Sequence, residues 1–181
     1  MYGIVNKAIE DLLLTQYGEE KWEIIKEKCN LEIDFFLLNE IYDDKITFTL
    51  IQSASEVTGK PSCELLKELG IWWIVKLSQE RYGSLMSTGG QNFREFLTNL
   101  PDFHTRVMMI YPKIQAPEFS ITSIAKTNIQ IHYKSRRAGL VDFVHGILDG
   151  LAQLFKSKVF IKVTPDPFYP ERSALFDIVW A

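Results

Sequence analysis

The feature of this sequence that most constrains its fold is a change in the spacing of its apolar residues near Phe119. Before that point, apolar residues recur at i, i+3 and i+4, which is the spacing of amphipathic helices. From Phe119 onward they alternate with polar residues, which is typical of strands with one buried face. The sequence therefore predicts an α+β fold, in which a helical N-terminal part packs on a small antiparallel sheet that carries one helix of its own.

Glycine residues and the apolar periodicity set the expected boundaries of the elements. Gly18 and Gly59 each follow a helical pattern, and glycine readily adopts the left-handed conformation that often ends a helix. The predicted helices cover residues 3–17, about 22–29, about 43–58, 61–70, 71–86, around 101–111 and 138–156. The predicted strands cover residues 119–121 and 129–133, joined by a turn near 125–128, and then 159–163 and 175–180.

Composition and charge narrow the class of protein. The chain has 181 residues, 46% of them hydrophobic and 24% charged, which indicates a single globular domain over residues 1–181. A net charge of −3 leaves no excess of positive charge to bind nucleic acid or an anionic membrane. The longest uncharged apolar stretch, Ile71–Val75, is far shorter than the ~20 residues of a membrane span, and no signal peptide is recognisable. Together with two isolated cysteines, Cys29 and Cys63, these features predict a cytoplasmic protein.

The three histidines fall on different faces of the predicted elements. His104 follows Leu100 by four residues on an apolar helical stripe, so its side chain is expected to point inward. His145 lies on the polar stripe of the helix at 138–156, which predicts a solvated side chain. His132 has the parity of the polar residues in its strand and is expected to face outward. An inward histidine such as His104 is either a core residue that hydrogen-bonds to a neighbouring carbonyl, or a ligand.

A row of hydrogen-bond donors extends the buried face of the predicted strand at 129–133. Tyr133, Ser135 and Arg137 share the parity of its apolar residues. Because buried donors need acceptors and Arg137 keeps its charge, an anionic group is expected against this face. A carboxylate from a neighbouring helix or solvent at the sheet edge would meet this need. A mostly apolar ligand that takes an axial imidazole and carries two carboxylates would explain both the row and His104, and haem has that description.

The segment Tyr133-Lys134-Ser135-Arg136-Arg137 has the Tyr-x-Ser-x-Arg pattern of the haem-nitric oxide/oxygen binding (H-NOX) family, which is related to the haem domain of soluble guanylate cyclase. The chain resembles this family over essentially its whole length. Other matching features are Met1-Tyr2-Gly3-Ile4-Val5, Tyr17-Gly18, Leu100-Pro101-Asp102-Phe103-His104, Pro117, Gly146 and Gly150. The five-residue pattern becomes specific when it is joined to an inward histidine about 30 residues upstream.

The resemblance implies a cofactor and the residues that hold it. His104 matches the family's proximal ligand to the iron of haem b (iron protoporphyrin IX). Tyr133, Ser135 and Arg137 match the residues that bind the haem propionates. Pro117 matches the proline that holds the porphyrin bent. Val5 occupies the place of an N-terminal aliphatic residue that contributes to the same distortion in the family. The haem would be buried between the helical part and the sheet.

The resemblance also bears on which gas is bound. Family members that hold oxygen place a tyrosine on the helix after the triad, and its hydroxyl stabilises bound oxygen. Here Phe143 stands at or next to that position and has no donor, which removes ~1.5–3 kcal/mol, roughly ten- to a hundredfold in oxygen affinity. Nitric oxide and carbon monoxide depend far less on such a donor. The indole N–H of Trp73, which is expected on the same side, would partly replace the missing phenol.

The implied function is a sensor of nitric oxide. In this family, nitric oxide weakens the iron–imidazole bond, so His104 is released, the porphyrin relaxes from Pro117, and the helical part shifts against the sheet. A chain that ends at Ala181 is expected to signal to a separate protein, such as a histidine kinase or a cyclic-dinucleotide enzyme, or else to be a fragment of a longer one.

Two alternatives remain at this point. The first is a haem-free interaction module on the same scaffold, in which His104 is a packing residue. The second is a haem enzyme, which is disfavoured because the distal helix offers no general acid or base. The sequence also contains no phosphate-binding loop and no hydrolase or metalloprotease motif, so nothing in it requires catalysis.

Overall fold

The computed structural model describes residues 1–33, 35–111, 113 and 115–181. Its helices are α1 (Gly3–Lys28), α2 (Asp44–Thr58), α3 (Ser62–Trp72), a π-helical segment (Trp73–Ser78), α4 (Gln79–Ser87), α5 (Phe93–Thr98), α6 (Leu100–Ile110) and α7 (Val141–Leu154). Its strands are β1 (Glu118–Ile124), β2 (Asn128–Lys134), β3 (Val159–Pro165) and β4 (Ser173–Trp180). The predicted α+β class is confirmed. Among the described residues, none of the helices combines the length and the apolar character that a membrane crossing requires.

The span of α1 contains the two predicted N-terminal helices, which meet at a kink at Gly18. The backbone of Gly18 is not helical, with φ of +81° and ψ of 171°, so the predicted helix end at Gly18 is confirmed. The next boundaries agree with the prediction. The Asp43 side chain accepts a hydrogen bond from the Lys45 backbone N–H at 2.8 Å and so caps the start of α2. Gly59 ends α2 in the left-handed conformation, with φ of +73°.

The predicted helix boundary at Gly70 is wrong. Helix α3 continues through Gly70 to Trp72 and passes directly into the π-helical segment and α4. Gly70 serves the contact between α3 and α7 instead, since a Cβ atom there would clash with the backbone oxygen of Phe143. Gly146 makes the reciprocal approach, where a Cβ atom would clash with the backbone oxygen of Lys67. The missing side chains allow the two helices to cross in backbone contact.

The sheet has the strand order β1-β2-β4-β3, and all neighbouring strands are antiparallel. The alternation predicted for β2 is confirmed, since Ile129, Ile131 and Tyr133 are buried on one face. In β4, Ala174, Phe176 and Ile178 pair with residues of β2 and extend the same buried face.

The buried apolar residues form two clusters, one on each side of a gap between the helical part and the sheet. One cluster joins the buried face of the sheet to α5, α6 and α7. The other joins α1, α2 and α3. Trp73 packs against both clusters, so the π-helical segment lies where they meet. A cavity opens at this junction.

Candidate functional site

A cavity of about 260 Å³ lies between the two apolar clusters. Its walls are mostly apolar and come from α1, α4, α5, α6, α7, the π-helical segment and the strands β1 and β2. Every residue predicted for the site lies on these walls: Val5, Trp73, His104, Pro117, Tyr133, Ser135, Arg137 and Phe143. The structure thus brings the predicted set together, while their individual roles remain predictions.

His104 points from α6 into this cavity, as its place on the apolar stripe predicted. Its ring packs edge-on against Phe119 of β1, with 4.9 Å between the ring centroids. Burial lowers the pKa of His104 to about 4, so the imidazole is neutral near pH 7. Among the described residues, none hydrogen-bonds to its ring nitrogens. A neutral imidazole with a free nitrogen is the form that coordinates a metal ion.

Arg137 is held at the mouth of the cavity by contacts that sequence reasoning left open. Its Nε donates to Asp44 Oδ2 at 2.6 Å, and its Nη1 donates to the backbone oxygen of Gln115 at 2.8 Å. The Arg137 backbone N–H donates to Ser135 Oγ at 3.0 Å. A carboxylate from a neighbouring helix, one of the alternatives considered for this row, is therefore present in the structure.

Asp44 connects the helical part to the end of β2. Besides Arg137, it accepts a hydrogen bond from the amino group of Met1. Burial by itself raises the pKa of Asp44, but the hydrogen bonds from Arg137 and the amino group outweigh burial and lower it. Asp44 is thus an ionised partner of Arg137 at neutral pH.

The mouth of the cavity still carries positive charge in excess of this one carboxylate. Lys113 lines the rim together with Arg137. Tyr133 is 1% exposed, and burial raises the pKa of its hydroxyl, which therefore stays protonated as a hydrogen-bond donor. A ligand with an apolar body and carboxylates at one edge fits these residues, with the carboxylates toward the cations and the body in the cavity.

The wall formed by α7 and the π-helical segment is different in character. Trp73 and Phe143 meet edge to face, with 6.0 Å between their ring centroids and an interplanar angle of 87°. Val144 and Ile147 continue this wall along α7. None of the α7 side chains on it ends in a hydroxyl or an amide, as the sequence predicted.

A cluster of tyrosines at another part of the cavity was missed by sequence reasoning. Tyr82 and Tyr111 are hydrogen-bonded through their hydroxyl groups. The Tyr2 ring packs against that of Tyr111 at 5.4 Å between centroids. Burial, followed by the hydrogen bond to Tyr111, raises the pKa of Tyr82, so it is a neutral phenol. The spacing of Ile74, Ser78 and Tyr82 at every fourth residue was the available signal, because all three line the cavity.

The other two histidines lie outside the cavity. His132 is on the opposite face of the sheet, as predicted, with Nε2 3.0 Å from Ser173 Oγ. The prediction that His145 is solvated is wrong. It is half-buried at the contact between α3 and α7, with Nε2 3.3 Å from Lys67 Nζ and 3.7 Å from Asp149 Oδ2. The close crossing at Gly146 brings Lys67 over the polar stripe of α7, which a pattern within one helix does not reveal.

These features define a class of protein: an α+β domain with a mostly apolar cavity, one neutral imidazole that faces it, and cationic side chains at one edge. A model of the family described as Haem-NO-binding matches residues 2–163. The chain therefore belongs to the Haem-NO-binding (H-NOX) family, whose domains are sensors without catalytic activity of their own.

The chain is similar to soluble guanylate cyclases of two animals. The chain is 27% identical over 164 residues to soluble guanylate cyclase gcy-31 of Caenorhabditis elegans, covering 90% of this chain and 23% of that protein. It is 23% identical over 155 residues to soluble guanylate cyclase 89Db of Drosophila melanogaster, covering 86% of this chain and 23% of that protein. The chain thus spans about a quarter of the length of these relatives.

Solved structures of H-NOX proteins share the fold. An H-NOX protein from S. oneidensis in the Fe(II)NO ligation state has a TM-score of 0.87 and 20% identity, covering 100% of this chain and 99% of that one. The Fe(II) unliganded H-NOX protein from K. algicida has a TM-score of 0.87 and 21% identity, covering 100% and 97%. At these identities the likeness concerns the fold.

Proposed function

We propose that this chain is a haem-based sensor of nitric oxide, which also binds carbon monoxide and holds oxygen weakly or not at all. The observation that carries the proposal is a neutral His104 imidazole, without a hydrogen-bond partner among the described residues, that faces an apolar cavity. A core histidine in a haem-free module would be expected to satisfy its nitrogens on a neighbouring carbonyl.

Different residues around the cavity would hold different parts of haem b. His104 would supply the axial nitrogen to the iron, and Tyr133, Ser135 and Arg137 would hold the propionates. Pro117 and Val5, which line the cavity, would press on the macrocycle. The iron of haem supplies an open coordination position that takes a diatomic gas.

The preference among gases would come from the wall opposite His104. Phe143 and its neighbours on α7 offer no donor, so bound oxygen would lose a hydrogen bond worth roughly ten- to a hundredfold in affinity. Nitric oxide and carbon monoxide need such a bond far less. The lack of a donor in the pocket would therefore favour nitric oxide and carbon monoxide over oxygen. The indole N–H of Trp73 would partly replace the absent phenol.

Signalling would use the two connections between the helical part and the sheet. Release of His104 would free α6 and relax the contact at Pro117. The Asp44–Arg137 ion pair and the crossing of α3 with α7 would then let α1–α3 shift against the sheet, which is a two-state element biased by a ligand. A signalling protein, such as a histidine kinase or a cyclic-dinucleotide enzyme, would read the shift.

Absorption spectra of the reduced protein in air, under carbon monoxide and under nitric oxide test this proposal. We expect a Soret band that shifts with carbon monoxide and nitric oxide and stays at the unliganded position in air. A stable ferrous–oxygen complex in air would contradict the gas preference. A protein that remains colourless after reconstitution with haem would instead support the haem-free module.

A further inference from the structure

A cluster of three polar side chains lies at the crossing of α3 and α7, outside the cavity. Lys67 Nζ of α3 is 2.8 Å from Asp149 Oδ2 and 3.3 Å from His145 Nε2, both of α7. The side chains of His145 and Asp149 are only 20% and 21% exposed, so their charges are screened less than those of a surface ion pair. The proposed binding of haem and gas makes no use of these residues.

The cluster lies where the two helices are in backbone contact. His145 directly precedes Gly146, and the backbone oxygen of Lys67 occupies the place that a Cβ atom of Gly146 would take. Lys67 therefore contacts α7 through both its backbone and its side chain. Since α3 belongs to the helical part and α7 packs on β3 and β4, the charges of this cluster act on the contact between the helical part and the sheet.

The imidazole of His145 is neutral in this arrangement. The Lys67 ammonium group has only donors, so His145 Nε2 must accept, and its proton lies on Nδ1. Burial, followed by the charge of Lys67, lowers the pKa of His145 and outweighs Asp149 and Asp142 of the same helix, which raise it. The sheet presents the uncharged ring of Phe176 to His145, with 6.4 Å between the ring centroids. His145 is thus neutral near pH 7 and becomes charged as the pH falls.

We propose that this cluster is a pH-sensitive contact, in which protonation of His145 transfers Asp149 from its partner on α3 to one on its own helix. A protonated His145 cannot accept from Lys67 and repels it, whereas it attracts Asp149, four residues further along α7. The ion pair between the two helices is then replaced by a pair within α7, and the helical part is held less tightly against the sheet. Protons thus become a second input to the movement proposed above, and the inference does not depend on haem binding.

Acid favours opening of this contact. The pKa of His145 is lowered while the contact is closed and returns toward the ordinary value of about 6.5 when it opens. Below about pH 6.5 the open form therefore binds more protons than the closed form, so opening becomes more favourable as the pH falls. One proton taken up on opening raises the opening equilibrium by at most about tenfold per pH unit.

Hydrogen–deuterium exchange of the full chain at pH 7.5 and pH 5.5 tests the proposal, with exchange times scaled to the known pH dependence of amide exchange. In the wild type, protection of the amides of α3 and α7 should fall by up to about tenfold at the lower pH. His145→Gln keeps an acceptor for Lys67 but does not titrate, so its protection should stay unchanged. Lys67→Met has no ion pair between the helices to lose, and its protection should also be independent of pH.

His132→Gln is the matched control. His132 is the other histidine outside the cavity, and it lies on the opposite face of the sheet, with Nε2 3.0 Å from Ser173 Oγ. This variant should respond to pH as the wild type does.

The inference is overturned if the wild-type response persists in His145→Gln or Lys67→Met, if the wild type is equally protected at both pH values, or if the loss of protection is confined to α6 around His104. Should a variant fail to fold, titration of the wild type by NMR decides. A pKa of His145 below about 6.5, with α3 and α7 losing protection over the same pH range, supports the inference, and a pKa at or above about 6.5 contradicts it. A protein that takes up no haem would refute the proposed function and leave this inference standing.

Discussion

The two long walls of the cavity differ in the kind of chemistry they carry. The wall of α6 and the sheet presents an imidazole, a phenol and a guanidinium, through His104, Tyr133 and Arg137. The wall of α7 and the π-helical segment presents Phe143 and aliphatic side chains, with Trp73 and Ser78 as its polar exceptions. Under the proposed function, the first wall would hold a large group with an acidic edge, and the second would admit a small uncharged ligand beside it.

The largest effect should come from the buried imidazole of the polar wall. The pKa of His104 is lowered to about 4 in the folded protein, from an ordinary value of about 6.5. Between these pH values the unfolded chain binds more protons than the haem-free folded protein, so stability is fully present above about pH 6.5 and is lost as the pH falls. We expect the free energy of unfolding to fall by up to about 3 kcal/mol by about pH 4.

Urea unfolding of the haem-free protein across this pH window measures the loss. His104→Leu should show a smaller loss than the wild type, and His132→Ala should match the wild type. If His104→Leu loses as much stability with falling pH as the wild type, the assignment of a buried neutral imidazole to this wall is incorrect.

A second effect concerns the cationic end of the same wall. Arg137→Ala should raise the rate of haem loss by roughly ten- to a hundredfold, the equivalent of one charge-assisted hydrogen bond. Transfer of haem to an apo-globin acceptor gives this rate. Arg136→Ala is the control, because Arg136 is exposed and neither lines the cavity nor takes part in the contacts of Arg137. Equal rates of haem loss for the two variants would contradict the proposal that Arg137 binds a haem propionate.

A substitution that adds a hydrogen-bond donor to the apolar wall would make the two walls more alike. Phe143→Tyr places a phenol on the apolar wall, and it should raise oxygen affinity by roughly ten- to a hundredfold, mainly through slower oxygen dissociation, while leaving nitric oxide binding nearly unchanged. Stopped-flow measurements on the reduced protein give both rates. Ile147→Tyr tests whether position 143 itself matters, and an identical response at both positions would show that the donor does not need the predicted geometry.

The spacing of apolar residues predicted the buried face correctly in elements where only one face packs against the core. Alternation in β2 and the stripe that carries His104 each predicted the buried side correctly, because one face of each element meets an apolar cluster. The same reasoning failed where a second element approaches. Gly70 looked like a helix end but permits the contact with α7, and His145 looked solvated but is covered by Lys67 of α3.

Sequence reasoning missed several residues of the site for the same reason, because their partners lie on distant elements. Asp44 lies 93 positions before Arg137, and no periodicity connects them. Tyr82 and Tyr111 meet only because α4 and the end of α6 converge at the cavity. Ser78 reads as an ordinary helical serine until the π-helical segment is seen to turn it toward the cavity. Long-range contacts of this kind depend on the packed fold, which a single sequence does not specify at the level of side chains.

The central claim is that His104 is the iron ligand, and haem binding by His104→Gly with and without added imidazole tests it most directly. The account predicts that the wild type binds haem with a strong Soret band, and that the variant does so only when imidazole is supplied to fill the space of the lost side chain. A variant that binds haem with an unchanged spectrum in the absence of imidazole would contradict the claim.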